Sequence, residues 1–170
     1  NWGDGNNPSD DYVAVVDLAS NTVPASIPIA AGPEKIIEEG GKFYVSHSGG
    51  YNYGKTVSVI NTASNTLQTV IAVGDAPKSM AIENGKLYVL CEGNPSWYAE
   101  GESFGELDAI NLSNNTVVSA KELTDKHPSN LVIENSKMYY PVDVDVYRMN
   151  PDDTLHSLPL FTLSSQQGAY

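Results

Sequence analysis

The chain has 170 residues, with nine Lys and Arg against 21 Asp and Glu, for a formal net charge of −12. That balance excludes nucleic acid, whose phosphates need clustered cations, and argues equally against an anionic membrane surface. The length suits one domain, the single Cys91 excludes an internal disulfide, no apolar run approaches the roughly 20 residues of a spanning helix, and 1–11 is polar and acidic rather than a signal peptide.

In chain order, the first apolar segment is Tyr12-Val13-Ala14-Val15-Val16, followed by the turn Ser20-Asn21-Thr22-Val23. A proline segment comes next, Gly32-Pro33-Glu34-Lys35, then Gly41-Lys42-Phe43-Tyr44-Val45, then Thr56-Val57-Ser58-Val59-Ile60-Asn61-Thr62 and the turn Ser64-Asn65-Thr66-Leu67. The order then recurs: Ala76-Pro77-Lys78-Ser79, Gly85-Lys86-Leu87-Tyr88-Val89 and Asn114-Asn115-Thr116-Val117. It recurs again in His127-Pro128-Ser129-Asn130 and Ser136-Lys137-Met138-Tyr139-Tyr140, with Asp152-Asp153-Thr154-Leu155 as a weaker copy of the turn. From tyrosine to tyrosine the period is 44 and then 51 residues, and three landmarks moving together establish a repeat.

Within a unit the apolar runs are short and β-type. The second unit predicts strands over 79–82, 87–91, 107–112 and 117–123, bounded by Gly, Asn, Asp or Pro. The Asn84-Gly85 pair predicts a two-residue hairpin, because both residues accept positive φ. Four antiparallel strands in about 40–50 residues are the pattern of a propeller blade. Runs apolar on both faces, such as 12–16, suit sheets sandwiched between neighbouring blades.

The order proline, Lys-x-Tyr-Val, Val-x-Val-Ile-Asn/Asp and Ser-Asn-Thr resembles the YVTN seven-bladed β-propeller family, most plainly in Lys86-Leu87-Tyr88-Val89 and 56–62. The resemblance implies an all-β propeller of four-stranded antiparallel blades. Strand A after the proline lines the central channel, B carries the Tyr-Val pair, C follows, and D lies outermost. Mapped on this chain, 1–31 supplies the C and D strands of a first blade, 32–73, 74–123 and 124–163 are three whole blades, and 164–170 starts the next. About three and a half blades of a probable seven are then present. An open arc leaves apolar sheet faces in water, so the same reading expects a complementary propeller fragment rather than a homodimer.

The blade geometry sends the B–C and D–A connections to one rim and the short A–B and C–D turns to the other. The B–C connections 1–10, 47–54 and 92–105 hold the unusual residues, and the opposite turns hold no aromatics. Trp2, Asn6, Tyr51, Asn52, Tyr53, Asn94, Trp97, Tyr98 and Phe104 are candidate ligand-binding residues. Flat rings offer contact area at low entropic cost, and amides both donate and accept hydrogen bonds. Lys35 and Lys78, with Lys126 and His127, are read in the D–A loops, where they could meet an anionic group.

Other chemistries find less support. Asp4, Asn6, Asn7, Asp10 and Asp11 carry oxygen ligands suited to calcium, but their spacing is not that of an EF-hand, and Asx-rich turns commonly bond their own backbone. His47, His127 and His156 are scattered over different repeats, no nucleophile elbow or phosphate loop occurs, and Cys91 lies inside a strand where packing explains it. Calcium-dependent propeller lactonases ring the channel with carboxylates and amides, whereas the comparable openings here carry Glu34, Lys78 and Ser129, with Asn130 beside the last. A lysine in that ring opposes a metal.

Glu92-Gly93-Asn94 and the opening Asn1-Trp2-Gly3 resemble the "NEGNWG" loop of surface-exposed propeller lipoproteins of Bacteroidetes. One branch of that group binds cobalamin and passes it to a TonB-dependent outer-membrane transporter. The resemblance therefore implies a non-enzymatic, cofactor-free, extracytoplasmic binding protein at the cell surface, capturing a corrinoid or similar bulky nutrient. The alternatives are a structural or adhesive surface-layer propeller that binds protein or glycan, and a propeller lyase or lactonase.

Overall fold

The computed structural model describes residues 1, 3, 4, 7, 9–49, 54–154 and 158–164. All regular structure among them is β, in four successive sheets. β1 (Tyr12–Asp17) and β2 (Thr22–Pro28) form an antiparallel pair. β3 (Pro33–Glu39), β4 (Lys42–His47), β5 (Thr56–Asn61) and β6 (Thr66–Ala72) form the second sheet, each strand beside the next. β7 (Pro77–Glu83), β8 (Lys86–Cys91), β9 (Gly105–Asn111) and β10 (Thr116–Leu123) repeat that order, as do β11 (Val132–Glu134), β12 (Lys137–Val142), β13 (Asp145–Met149) and β14 (Phe161–Thr162). Each sheet is one unit of the sequence repeat, so the landmarks are structural equivalents. β3 and β7 begin at their prolines, earlier than the apolar runs alone predict. The first residue of an edge strand tolerates the missing N–H.

Turn chemistry explains the hairpins. Asn21, Asn65 and Asn115 hold φ of 54°, 53° and 57°, and Asn84 and Gly85 hold 50° and 72°, the left-handed region that Asn and Gly enter at least cost. The aspartate or asparagine before each Ser-Asn-Thr turn caps it. Asp17, Asn61 and Asn111 accept from the backbone N–H two residues ahead at 2.8, 2.9 and 2.9 Å. The last sheet departs from the pattern. Its B–C connection is a tight turn at Asp143, φ 51°, and Asp152 and Asp153 lie in a turn that follows Pro151; the next strand among the described residues is β14.

Cores lie between the sheets. Ile27 and Ile29 of the first unit meet Val45 and Ile60 of the second. Tyr44, Val57, Val59 and Ile71 of the second meet Leu87, Val89, Cys91 and Ile110 of the third. Tyr88, Leu90, Leu107 and Leu123 of the third meet Leu131, Met138, Tyr140, Tyr147 and Met149 of the fourth. Middle strands are thus buried on both faces, which is why they read as continuous apolar runs. Full burial of each Val, Leu or Ile contributes roughly 1.5–3 kcal/mol. The repeated tyrosine is interfacial, with Tyr44 1% and Tyr88 2% exposed. β3, β7 and β11 approach one another along the inner edge.

Candidate functional site

The B–C connection between β8 and β9 is the longest that the structure describes at the loop rim, and its neck is pinned from both sides. From the preceding D–A connection, the carbonyls of Asp75 and Ala76 accept from Gly93 N at 3.0 Å and Glu92 N at 2.9 Å. Ser103 closes the neck. Its Oγ accepts from Asn94 N at 2.9 Å and donates to Asp75 Oδ2 at 2.8 Å, while Ser103 N donates to Asn94 O at 3.1 Å. Asn94 Nδ2 also reaches Asp75, at 3.3 Å. Gly93 is required at this crossing: φ is 83°, and a Cβ there would lie 2.3 Å from the Ser103 carbonyl oxygen.

The following D–A connection grips the other side. Gly105 N donates to Lys126 O at 2.8 Å, His127 Nδ1 lies 2.9 Å from Glu92 O, and His127 Nε2 lies 3.5 Å from Glu102 Oε1. The Phe104 and His127 rings stand 5.8 Å apart, and Lys78 pairs with Glu92 at 2.5 Å. Beyond the neck, turns at Pro95–Tyr98 and Tyr98–Gly101 project Trp97, which is 75% exposed. A rigid base thus presents an outward aromatic ring.

Beside the neck opens a cleft of about 460 Å³ lined by Val73, Asp75, Glu102, Phe104, Glu106 and Glu122. Asp108 lies behind it, buried, accepting from Gly74 N at 2.8 Å and from the Cys91 thiol at 3.8 Å. Burial, then the neighbouring Asp108 charge, pushes Glu106 up to about 7. Burial also raises Asp108, against the pull of the Gly74 N–H. The two carboxyls lie close enough that each one's negative charge opposes the other's. The Cys91 thiol is pushed well up by burial and is no nucleophile.

The second unit carries a different group at the same rim. His47 Nε2 lies 2.8 Å from Ser58 Oγ, and Asp11 Oδ2 accepts from Gly32 N at 2.7 Å. Serine, histidine and aspartate together have the composition of a nucleophilic triad, but His47 and Ser58 are both 0% exposed, against the first sheet. Burial lowers His47 to about 4. The network is a polar component of the interface, out of a substrate's reach.

Trp97, Tyr98, Phe104 and Asn94 share the one loop, with Asn94 buried and its amide serving the neck. Trp2, Asn6, Tyr51, Asn52 and Tyr53 lie outside the described residues. Lys35 and Lys78 belong to strands β3 and β7 rather than to D–A loops, because each strand starts at its proline. Lys35 is exposed and Lys78 is paired with Glu92. In the first segment, Asp4 N donates to Asp10 Oδ2 at 3.0 Å and Ser9 N to Asn7 Oδ1 at 3.1 Å. Among the described residues no group of three or more His, Cys, Asp or Glu side chains could hold a metal ion, and no helix is long and apolar enough to cross a membrane. Sequence reasoning missed the acidic cleft. Asp75, Glu102, Glu106 and Glu122 come from two connections and two strands, and Glu106 faces Glu122 across β9 and β10; the net charge was the one signal.

No family model and no curated protein matches the chain. Solved structures do. Hydrazine synthase of Kuenenia stuttgartiensis superposes with a TM-score of 0.64 at 19% identity, over 82% of this chain and 40% of that one. Dihydro-heme d1 dehydrogenase NirN, in complex with DHE, gives 0.65 at 15% identity, over 89% and 34%. BamB from Moraxella catarrhalis gives 0.52 at 11% identity, over 73% and 33%. The chain spans between a third and two fifths of these structures' length. At such identities the likeness is one of fold, and with the sheet order it makes the chain an arc of β-propeller blades.

Proposed function

We propose that this protein is a non-enzymatic binding protein of the cell surface that captures a bulky, amide-bearing nutrient of the corrinoid class on its loop rim. The observation that supports the reading most is the 92–104 loop: it is clamped by both neighbouring connections, yet it carries Trp97 75% exposed, and its base lines a carboxylate-rich cleft. A planar macrocycle with peripheral amides needs a ring to stack on and acceptors for its N–H groups, and the cleft supplies acceptors. Anchorage at the outer membrane and hand-over to a TonB-dependent transporter belong to the same proposal, through the resemblance of the Glu92-Gly93-Asn94 loop. So does a complementary propeller fragment. Tyr139 occupies the repeat position of Tyr44 and Tyr88 but is not buried, and Phe161 is 49% exposed, as expected of blade faces that another blade covers.

Titration with cyanocobalamin, followed by calorimetry and by tryptophan fluorescence, tests this. Saturable binding that Trp97→Ala weakens at least tenfold is expected, a loss of about 1.4 kcal/mol or more. No heat and no quenching, or binding indifferent to Trp97, overturns the corrinoid assignment.

A further inference from the structure

The groove between the third and fourth units, at the opposite rim, departs from the repeat in three ways that converge. In the second unit Val57 pairs with Ile71 and Val59 with Thr69, and Val57, Val59 and Ile71 help close its interface with the third. The equivalent pairs one unit on are Leu107 with Lys121 and Ala109 with Ser119. A cation thus replaces the 7%-exposed Ile71, and alanine replaces the fully buried Val59. The third departure is the turn after Asn150, which puts Pro151 and Asp152 on the groove. What opens is a space of about 420 Å³, within the usual range for small-ligand sites.

Its chemistry is two-sided. Tyr88, Leu107 and Ala109 give an apolar wall, and Lys86 and Lys121 stand on it with a single carboxylate, Asp152. In a chain of net charge −12, two ammonium groups against one carboxylate mark an exceptional locus. Lys86 Nζ meets Asp152 Oδ1 at 2.7 Å, and Lys121 Nζ donates to the carbonyls of Pro151 at 3.1 Å and Asp153 at 2.6 Å. An ammonium has three donors, so these contacts leave Lys121 a donor to offer into the groove.

We propose that this groove is a second ligand site, distinct from the loop rim, that takes a small carboxylate with an apolar body. The carboxylate lies between Lys86 and Lys121, and the apolar portion lies along Tyr88, Leu107 and Ala109. Because the site is at the opposite rim, its test stands apart from corrinoid binding. Amide chemical shifts of the whole chain are followed during titration with octanoate, and in parallel with octylammonium.

Saturable shifts at Ala109, Ser119 and Lys121 are expected with octanoate at concentrations up to about 10 mM, and none with octylammonium. Lys121→Ile restores the residue that the repeat carries at Ile71. It should abolish octanoate binding while keeping or raising the melting temperature, which separates a lost site from a lost fold. Ala109→Val should weaken binding by filling the space. Absence of saturable shifts with octanoate, equal binding of octylammonium, or undiminished binding to Lys121→Ile overturns the proposal.

Discussion

His47 and Ser58 stand in the second unit at the register positions that Cys91 and Asp108 hold in the third. Both pairs sit at the loop-rim ends of their middle strands, both are buried, and each has a polar contact across the strand pair, at 2.8 Å and 3.8 Å. Around the first, burial suppresses a positive charge and drives His47 down to about 4. Around the second, burial and crowding suppress negative charge and drive Glu106 up to about 7. One backbone frame therefore holds two environments that answer acid in opposite directions. What differs is the set of neighbours: the second unit's D–A connection bonds Asp11 through Gly32, whereas the third's bonds Asp108 through Gly74 and brings Asp75 toward Glu106 and Glu122.

The largest effect should come from breaking the frame itself. Gly93→Ala forces a Cβ into the Ser103 carbonyl in a left-handed backbone, so chemical denaturation should show a loss of roughly 3 kcal/mol or more. Retained stability in that variant would mean that the loop neck is not the rigid base described.

The pH responses come next. His47 in the folded state lies below its ordinary 6.5, so the unfolded chain binds the additional proton, and stability falls as pH drops from about 6.5 to about 4. At about 1.4 kcal/mol per pH unit, the loss from this residue reaches up to about 3 kcal/mol. His47→Gln should flatten the acid limb of a melting-temperature profile. Glu106 works in the other direction. Its folded value lies above 4.5, so its protonated state favours folding in acid, and that contribution is lost as pH rises toward about 7. Because Glu106 is partly solvated, screening limits the effect to about 1 kcal/mol. Glu106→Gln should raise the melting temperature at pH 8 and leave it unchanged at pH 4. An acid limb unmoved by His47→Gln, or a Glu106→Gln profile parallel to the parent, would remove the contrast between the two units.

The smallest effect is expected at Trp97. Its exposed ring should contribute within about 0.5 kcal/mol to stability, so Trp97→Ala should melt with the parent although it decides binding at the loop rim. A large drop in melting temperature would show that the ring supports the loop instead of a ligand.

Much of the architecture was legible because the information is local. Strand periodicity, the Asn-Gly and Ser-Asn-Thr turns and the recurring proline each act over a few residues, and their repetition at Tyr44, Tyr88 and Tyr139 exposed the unit. The last unit resisted the same reading. Asp152-Asp153-Thr154 has the turn composition, yet Lys86 and Lys121 draw the segment across to the third unit, and the D strand begins only at Phe161. Asn94 and Ser103 could be read from their loop as polar groups free to meet a ligand, but Asp75, 19 and 28 residues away in the chain, turns both into structural bonds.

By itself, then, the sequence determined the blade: its strand order, its turns, the apolar positions that must face another sheet, and the rim that carries the long connections. Those follow from backbone dihedral preferences and side-chain period, which neighbouring residues settle among themselves. Only the tertiary structure decided what stands opposite what. The burial that silences His47 and the opening made where Lys121 replaces an isoleucine arise from one unit stacking on the next, and the cleft of Asp75, Glu102, Glu106 and Glu122 arises where connections and strands of the third unit meet at its loop rim. Charge and solvation energies depend on distance through space, and residues far apart in the chain acquire that distance only when the sheets meet.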